Sequence, residues 1–251
     1  MNETKNTRLS VNINKFATLR NARGGNLPDV TKAALDCVRF GAEGITVHPR
    51  PDERHIRYSD VREIRPLMKG IKGQEFNIEG NPMPEGFVSL VLETLPDQVT
   101  LVPDAHDAIT SNAGWDTIKN RQYLSEICSL FKSHGIRTSI FIDPLPEMAE
   151  AAAECGCDRV ELYTEAYARE FADSHEKAVA PYLAAAVKAK ECGLGVNAGH
   201  DLNLENLEYF IRTIPWTDEV SIGHAIICDA IYMGLENTVK AYLAATKLQK
   251  D

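Results

Sequence analysis

Eight short runs of apolar and β-branched residues recur along this chain, and most of them end in a polar side chain. Each run is followed by a segment with apolar residues at helical spacing, which indicates alternating strands and helices. The predicted strands cover residues 9–14, 44–48, 76–79, 99–103, 138–143, 160–164, 194–200 and 220–224. The predicted helices cover residues 30–40, 61–68, 87–95, 123–131, 147–153, 178–191, 204–211 and 225–248. This alternation is typical of parallel strands with helical crossovers.

Eight such units within 251 residues predict a single α/β domain over residues 1–251, a closed (β/α)8 TIM barrel. Gly41, Gly135, Gly156 and Gly193 each stand just before a predicted strand, where a left-handed residue ends the preceding helix. An open, doubly wound sheet also alternates strands and helices and is the alternative. However, the sequence has neither a GxGxxG turn after the first strand nor a P-loop, and its polar strand ends are spread over nearly all units. The pattern therefore favours the barrel.

Charge and hydropathy argue against several classes of partner. The net charge is −9 and the pI is about 5.3, whereas nucleic acids and anionic membranes require a basic surface. No apolar stretch approaches the roughly 20 residues of a membrane span, and the N-terminus lacks a signal-peptide core. We therefore expect a cytoplasmic protein without a nucleic-acid or membrane partner. The cysteines are expected to stay unpaired, with Cys155 and Cys157 between a helix and the next strand.

Polar residues near the carboxyl ends of the predicted strands are expected to converge on one mouth of the barrel. Catalytic residues of TIM barrels come from these ends and from the loops that follow them. The candidates are Asn12, Asn14 and Lys15 at strand one, His48 and Arg50 at strand two, Glu79 at strand three, Thr110 after strand four, Glu161 in strand six, His200 at strand seven, and Gly223 and His224 at strand eight.

Four of these residues, His48, Glu79, Glu161 and His200, are candidates for proton transfer. A histidine titrates near neutrality, and the pKa of a carboxyl group in a semi-buried mouth is raised, so the set offers both acids and bases. Glu161 alternates with apolar neighbours and is therefore expected to point into the lumen. A carboxylate there is costly unless it is paired or chemically useful.

Cationic and glycine-containing loops near the same mouth predict two anion-binding sites. Arg23, Arg50 and His55 lie in polar loops after strands one and two, and arginine forks match phosphate oxygens. Gly199-His200-Asp201 and Gly223-His224 follow strands seven and eight, where backbone amides commonly hold phosphate. Two sites predict two phosphorylated substrates, or one bisphosphate.

Metal chemistry is not expected at this mouth. The first strand carries Asn12 and Asn14 where barrel hydrolases place a pair of metal-binding histidines, and no HxxxH or carboxylate-rich cluster appears elsewhere. The sequence therefore predicts chemistry that is carried by protons alone, with neither a metal nor another cofactor.

Several motifs closely resemble those of the pyridoxine 5′-phosphate synthase family. They are Val11-Asn12-Ile13 with the segment from Ala17 to Gly24, the segment from Gly44 to His48 with Arg54-His55-Ile56, Asn77-Ile78-Glu79, Leu101-Val102-Pro103, Asn197-Ala198-Gly199-His200, and Ile222-Gly223-His224-Ala225. The resemblance runs in order from about residue 9 to residue 245, and its first and last two motifs are highly specific.

The resemblance implies a ring-forming, transferase-type enzyme of vitamin B6 biosynthesis that condenses 3-amino-2-oxopropyl phosphate with 1-deoxy-D-xylulose 5-phosphate. It implies that His48 and Glu79 accept protons, that His200 donates one, and that Glu161 assists transition-state stabilisation. The residues expected to bind substrate are Asn12, Asn14, Lys15, Arg23, Arg50, His55, Thr110, Asp201, Gly223 and His224. The resemblance further implies a cytoplasmic homo-octamer.

The chain departs from the family pattern at two places, and two other functions stay open. Asn14-Lys15 stands where many members carry Asp-His, and Asp201 stands where many carry glycine. These changes bear on recognition of deoxyxylulose phosphate and leave the acid and base set intact. One alternative is another phosphosugar enzyme, such as an epimerase or an aldolase with Lys15 as its Schiff-base amine. The other is a non-catalytic binder of pyridoxine phosphate.

Overall fold

The computed structural model describes residues 7–104 and 113–247, and its centre is a closed barrel of eight parallel strands. The strands pair in sequence order, and β1 closes the barrel against β8. They are β1 (Arg8–Asn12), β2 (Gly44–Val47), β3 (Glu75–Gly80), β4 (Gln98–Leu101), β5 (Arg137–Ile142), β6 (Arg159–Tyr163), β7 (Gly195–Gly199) and β8 (Thr217–Ile222). The predicted TIM barrel is therefore confirmed, and the open sheet is excluded.

Helices follow the strands and cover the outside of the barrel. Over the described residues they are α1 (Asn14–Asn21), α2 (Val30–Arg39), α3 (Tyr58–Lys69), α4 (Phe87–Thr94), α5 (Arg121–Ser133), α6 (Pro146–Glu154), α7 (Glu165–Glu170), α8 (His175–Glu191), α9 (Leu207–Thr213), α10 (His224–Met233) and α11 (Leu235–Ala245). None of them is both long enough and apolar enough to span a bilayer.

The strands have one apolar and one polar face because successive side chains point to opposite sides of a sheet. Outward-facing residues such as Val11, Ile45 and Ile78 are buried in the apolar layer between the barrel and its helices. Inward-facing residues are polar and hydrogen-bond across strands. The Ser10 and Thr46 hydroxyl oxygens lie 2.7 Å apart, and Thr100 Oγ1 lies 3.2 Å from Asn77 Oδ1. The barrel thus has a polar lumen inside an apolar shell.

The predicted helix ends and cysteine positions are confirmed. Gly41, Gly135, Gly156 and Gly193 have φ values of 111°, 73°, 78° and 79°, which are readily accessible to glycine. Cys155 caps α6, and β6 begins at Arg159 soon after Cys157. All six cysteines are free thiols.

Several predicted boundaries were wrong. Strand β1 ends at Asn12, and Asn14 and Lys15 form the first turn of α1 instead of continuing the strand. The Asn12 side chain accepts a hydrogen bond of 3.1 Å from the Asn14 backbone N–H, which turns the chain into the helix. The segment 225–248 was predicted as one helix, but Gly234, at φ 75°, separates α10 from α11. The pattern also did not predict the short helices α1 and α7.

Candidate active site

A cavity of about 600 Å³ opens at the carboxyl ends of the strands. It is lined by Asn12, Asn14, Lys15, His48, Arg50, His55, Tyr163, Glu165, Ala168, His200, Asp201, Asn203, Ser221, Gly223, His224 and Ala225. These residues come from the ends of five strands and from the loops and helices that follow them. The barrel therefore brings together most of the residues that the sequence predicted for its mouth.

Glu79 lies beneath this cavity, fully buried on β3. Its two carboxyl oxygens accept hydrogen bonds of 3.3 Å each, one from Asn12 Nδ2 and one from Ser221 Oγ. Burial raises the pKa of Glu79 to about 8, aided by the charge of Asp104 and opposed by the Ser221 hydrogen bond. Glu79 can therefore both hold and release a proton near neutral pH.

His48 follows β2 and is nearly fully buried between two carboxyl groups. Its Nδ1 lies 3.9 Å from Glu79 Oε2, and its Nε2 lies 3.8 Å from Asp104 Oδ2. Both distances exceed hydrogen-bond length. Burial, followed by the positive charge of Arg50, holds the pKa of His48 well below its usual range. The imidazole is consequently neutral at pH 7 and able to accept a proton.

His200 and Glu161 form a second imidazole–carboxyl pair across the cavity floor. His200 Nδ1 lies 3.7 Å from Glu161 Oε1, and neither atom has a hydrogen-bond partner within the described part of the chain. Burial lowers the pKa of His200 to about 4 and raises the pKa of Glu161. The carboxyl group therefore carries the proton at neutral pH. Glu161 Oε2 lies 3.5 Å from Thr100 Oγ1, inside the lumen as the sequence predicted.

One side of the cavity carries cations from the segments after β1 and β2. Arg50 is buried, and its Nη2 donates a 2.5 Å hydrogen bond to Asp104 Oδ2. Burial, with the charges of Arg50 and Lys15, lowers the pKa of His55 to about 4. The His48 and His55 rings lie 6.2 Å apart between their centroids. These groups can bind an anionic substrate group through charge and hydrogen bonds.

The loop that carries Arg50 and His55 is held from below by α1. Arg20 is buried and donates hydrogen bonds of 2.5 and 2.9 Å to the two Asp60 carboxyl oxygens. A third bond of 3.1 Å runs from Arg20 Nη2 to the His55 carbonyl oxygen, which Asn21 Nδ2 also contacts at 2.9 Å. The ion pair between Arg20 and Asp60 thereby fixes the loop position.

The opposite side of the cavity is built from β7, β8 and the start of α10. Gly223 caps α10, whose first residue is His224. A Cβ atom at Gly223 would lie 2.8 Å from the Asn12 backbone oxygen, so only glycine fits there. Asp201 also lies on this side, and burial together with the Glu165 charge raises its pKa. The helix start offers backbone N–H groups to an anion.

Comparison with known proteins identifies the family. The family model described as "Pyridoxal phosphate biosynthesis protein PdxJ" matches residues 9–248. The chain belongs to the PdxJ family. A pyridoxine 5′-phosphate synthase of Cytophaga hutchinsonii is 62% identical over 241 residues, which cover 96% of this chain and 99% of that protein. Another of Bacteroides thetaiotaomicron is 61% identical over 236 residues, which cover 94% of this chain and 98% of that protein.

More distant solved structures share the fold alone with this PdxJ-family chain. A thiamine phosphate pyrophosphorylase from Pyrococcus furiosus has a TM-score of 0.62 at 12% identity, covering 97% of this chain and 96% of that one. A phosphoribosyl anthranilate isomerase has a TM-score of 0.58 at 14% identity, covering 96% and 98%. Both likenesses support the barrel architecture and no more.

Of the predicted site residues that the structure describes, Glu79, Glu161 and Arg23 are not among those that line this cavity of the PdxJ-family chain. Arg23 is exposed after α1 and is not among the described residues that line the cavity. Thr110 lies outside the described residues. The described residues also contain no group of three or more His, Cys, Asp or Glu side chains that could hold a metal ion.

Several residues of the site were not predicted from the sequence. Asp104 follows the apolar run that ends at Pro103, so its position at a strand end was the available signal. Ser221 lies near the end of β8, within the predicted strand 220–224, so its position near a strand end was again the available signal. Arg20 lies in the polar segment after strand one that suggested an anion site. Its guanidinium bonds Asp60 and the His55 carbonyl oxygen and does not line the cavity.

Proposed function

We propose that this protein is a pyridoxine 5′-phosphate synthase. It condenses 3-amino-2-oxopropyl phosphate with 1-deoxy-D-xylulose 5-phosphate and forms pyridoxine 5′-phosphate, phosphate and water. The observation that carries the proposal is a cavity with two imidazole–carboxyl pairs between two anion-binding sides. The relatives named pyridoxine 5′-phosphate synthase, about 60% identical over nearly the whole chain, support the same conclusion.

The reaction requires repeated proton transfer, which the two pairs can supply. The substrate amine attacks the pentulose ketone, and the resulting carbinolamine loses water to give an imine. Loss of a proton next to the imine, departure of phosphate, ring closure and a further dehydration follow. His48, which is neutral, accepts a proton, and Glu79, with a pKa of about 8, exchanges one near neutrality.

The second pair supplies a proton from the other side of the cavity. His200 donates a proton from its imidazole to a leaving hydroxyl group, and Glu161 returns one to Nδ1 over the 3.7 Å that separates them. Glu161 is suited to this task because burial raises its pKa and keeps it protonated. Until it gives up this proton, Glu161 is neutral and adds no negative charge to the cavity floor.

The two sides of the cavity each hold one phosphorylated substrate. Lys15, Arg50 and His55, with Asn14 nearby, bind the deoxyxylulose phosphate. Asn12, Gly223 and His224 bind the amino ketone and its phosphate, in part through the amides at the start of α10. Asp201, which also lines the cavity, contributes to recognition of the deoxyxylulose phosphate. Family resemblance adds Arg23 and Thr110 to the substrate contacts. Holding both molecules at reactive distance lowers the barrier by roughly 7 kcal/mol or more.

The proposal includes a cytoplasmic homo-oligomer, an octamer by family resemblance. Leu27, Ile231 and Tyr232 are apolar side chains with exposed fractions of 80%, 72% and 91%, as expected where subunits meet. Phosphorylated substrates are charged and are retained in the cytoplasm. Light scattering coupled to size-exclusion chromatography tests the assembly, and a monomer would contradict this part of the proposal.

The purified protein with both substrates provides the direct test. We expect release of inorganic phosphate and formation of pyridoxine 5′-phosphate only when both substrates are present. Phosphate release with either substrate alone would favour another phosphosugar reaction. Product binding without turnover would favour a non-catalytic binder.

A further inference from the structure

Asp104 is a buried carboxylate that contacts two groups of the proposed site. It follows the end of β4 and is 9% exposed. Its Oδ2 accepts the 2.5 Å hydrogen bond from Arg50 Nη2 and lies 3.8 Å from His48 Nε2. Its backbone oxygen accepts a 2.9 Å hydrogen bond from Asn81 Nδ2, which fixes the chain at this point. Asp104 is not among the residues that line the main cavity.

The contact with Arg50 restricts a long side chain that faces the substrate cavity. A free guanidinium would lose rotamer entropy when it bound a phosphate. The charge-assisted bond to Asp104 holds it in one arrangement before the substrate arrives. Because Arg50 donates through several N–H groups, one can contact Asp104 while others remain directed elsewhere.

The contact with His48 affects protonation of the His48 imidazole. His48 lies between Glu79 on its Nδ1 side and Asp104 on its Nε2 side, at 3.9 and 3.8 Å. When His48 accepts a proton, the imidazolium is attracted by the Asp104 carboxylate in a site from which water is largely excluded. Removal of that carboxylate makes protonation of His48 less favourable.

We propose that Asp104 is a positioning residue of this active site, which holds the Arg50 guanidinium at the cavity and stabilises the protonated form of His48. The inference rests on the proposed function, because that function assigns substrate binding to Arg50 and proton transfer to His48. Asp104 acts through these two residues and not by contact with substrate.

The test compares Asp104→Asn, Asp104→Glu and a matched control. In Asp104→Asn we expect kcat to fall about 10-fold and the KM for one phosphorylated substrate to rise about 10-fold. Asp104→Glu keeps the carboxylate and should recover most of the loss in kcat. The control is Asp97→Asn, because Asp97 also accepts a hydrogen bond from an arginine, Arg65 Nη1 at 2.7 Å, but lies before β4 at the other end of the barrel. Its kcat and KM should stay within twofold of the parent.

A titration of Glu79 adds a measurement that does not need turnover. The polar and charged groups that face Glu79 are Asn12 from β1, His48 and Arg50 after β2, Asp104 after β4, Glu161 from β6, and Glu219 and Ser221 from β8. Loss of the Asp104 charge removes a like charge from this set, so the pKa of Glu79 should fall below about 8 in Asp104→Asn. Carbon-13 NMR of the labelled carboxyl group measures the change, with Glu79→Gln to assign the signal.

Three outcomes would overturn the proposal. The first is that Asp104→Asn keeps the kcat and KM of the parent. The second is that Asp104→Asn loses activity only in proportion to a lower Tm, while the Glu79 titration is unchanged. The third is that Asp104→Glu folds but recovers none of the lost kcat. If the parent protein forms no product from the two substrates, the proposed function fails on its own. In that case the Glu79 titration still shows whether the Asp104 carboxylate affects the pKa of Glu79.

Discussion

At the amino-terminal end of the barrel lumen, Glu75 of β3 accepts hydrogen bonds from Arg8 of β1 and Arg137 of β5. At the carboxyl-terminal end of the same strand, Glu79 accepts its hydrogen bonds from neutral amide and hydroxyl groups, and His48 lies 3.9 Å away. Burial tends to raise the pKa of both carboxyl groups. The arginines nevertheless hold the pKa of Glu75 below its usual range, whereas that of Glu79 rises to about 8.

Two glutamates four residues apart on one strand therefore differ in protonation because of their partners. At the amino-terminal end, called the paired end, ion pairs between oppositely charged side chains join three strands. These ion pairs contribute to the stability of the barrel. At the carboxyl-terminal end, buried carboxyl and imidazole groups can exchange protons near neutral pH. Burying these groups lowers the stability of the barrel but permits acid–base chemistry. The comparison predicts that substitutions at the two ends affect different measurements.

The largest effect is expected for the imidazole and carboxyl groups at the cavity. His48→Asn, Glu79→Gln and His200→Asn should each lower kcat by at least about 100-fold, because each removes a group that transfers a proton. Circular dichroism and substrate binding should stay close to those of the parent. Near-normal turnover in any one variant would remove that residue from the mechanism.

The stability of the two ends should depend on pH in different ways. The pKa of Glu79 is about 8 in the folded state against about 4.5 in the unfolded chain, so the folded state holds an extra proton between these values. The free energy of unfolding therefore falls as pH rises through this range. Relative to Glu79→Gln, the parent should lose about 3.5 kcal/mol between pH 5 and pH 8.

Urea unfolding at the two pH values measures this difference, and Glu75→Gln serves as the control. Glu75 is largely ionised from pH 5 upward in both states. In the unfolded chain its ordinary pKa is about 4.5, and in the folded state its arginines lower the pKa further. Its contribution should therefore be constant over the same range. A difference between the parent and Glu79→Gln that does not change with pH would show that Glu79 is ionised in the folded protein.

At the paired end, Glu75→Gln should lower stability without lowering turnover. The substitution leaves Arg8 and Arg137 without their shared charged partner, which we expect to reduce the free energy of unfolding by about 1–2 kcal/mol at pH 7. Because Glu75 lies at the end of β3 away from the cavity, kcat should stay within twofold. A 10-fold lower kcat in a fully folded variant would show that the two ends are coupled.

The sequence predicted the barrel and most cavity residues because both depend on regular spacing. Alternation along each strand placed Glu161 in the lumen, and strand ends placed His48 and His200 at one mouth. The same spacing does not predict which polar side chains contact one another across the lumen. The contact of Glu79 with Ser221 depends on closure of β1 against β8 and on the register of every strand between them.

Short polar segments were the other source of error. Helix α1 has only eight residues and begins with the polar pair Asn14-Lys15, which was predicted to end strand one. Asp104 lies outside any strand or helix and has no periodic neighbours, and its interaction with Arg50 joins residues 54 positions apart. Such contacts follow from tertiary packing, which local pattern does not encode.

The smallest effect is expected for Lys15, which also separates the proposed function from an aldolase. Lys15 lines the cavity from the first turn of α1, close enough to His55 to lower its pKa. A Schiff-base enzyme would use this amine to attack a ketone. The amino-ketone substrate brings its own amine, so an ammonium group that attracts the pentulose phosphate is sufficient here. Lys15→Met should raise the KM for deoxyxylulose phosphate several-fold and retain product formation. Borohydride added during turnover should leave the protein mass unchanged, whereas a reduced adduct mapped to Lys15 would favour the aldolase.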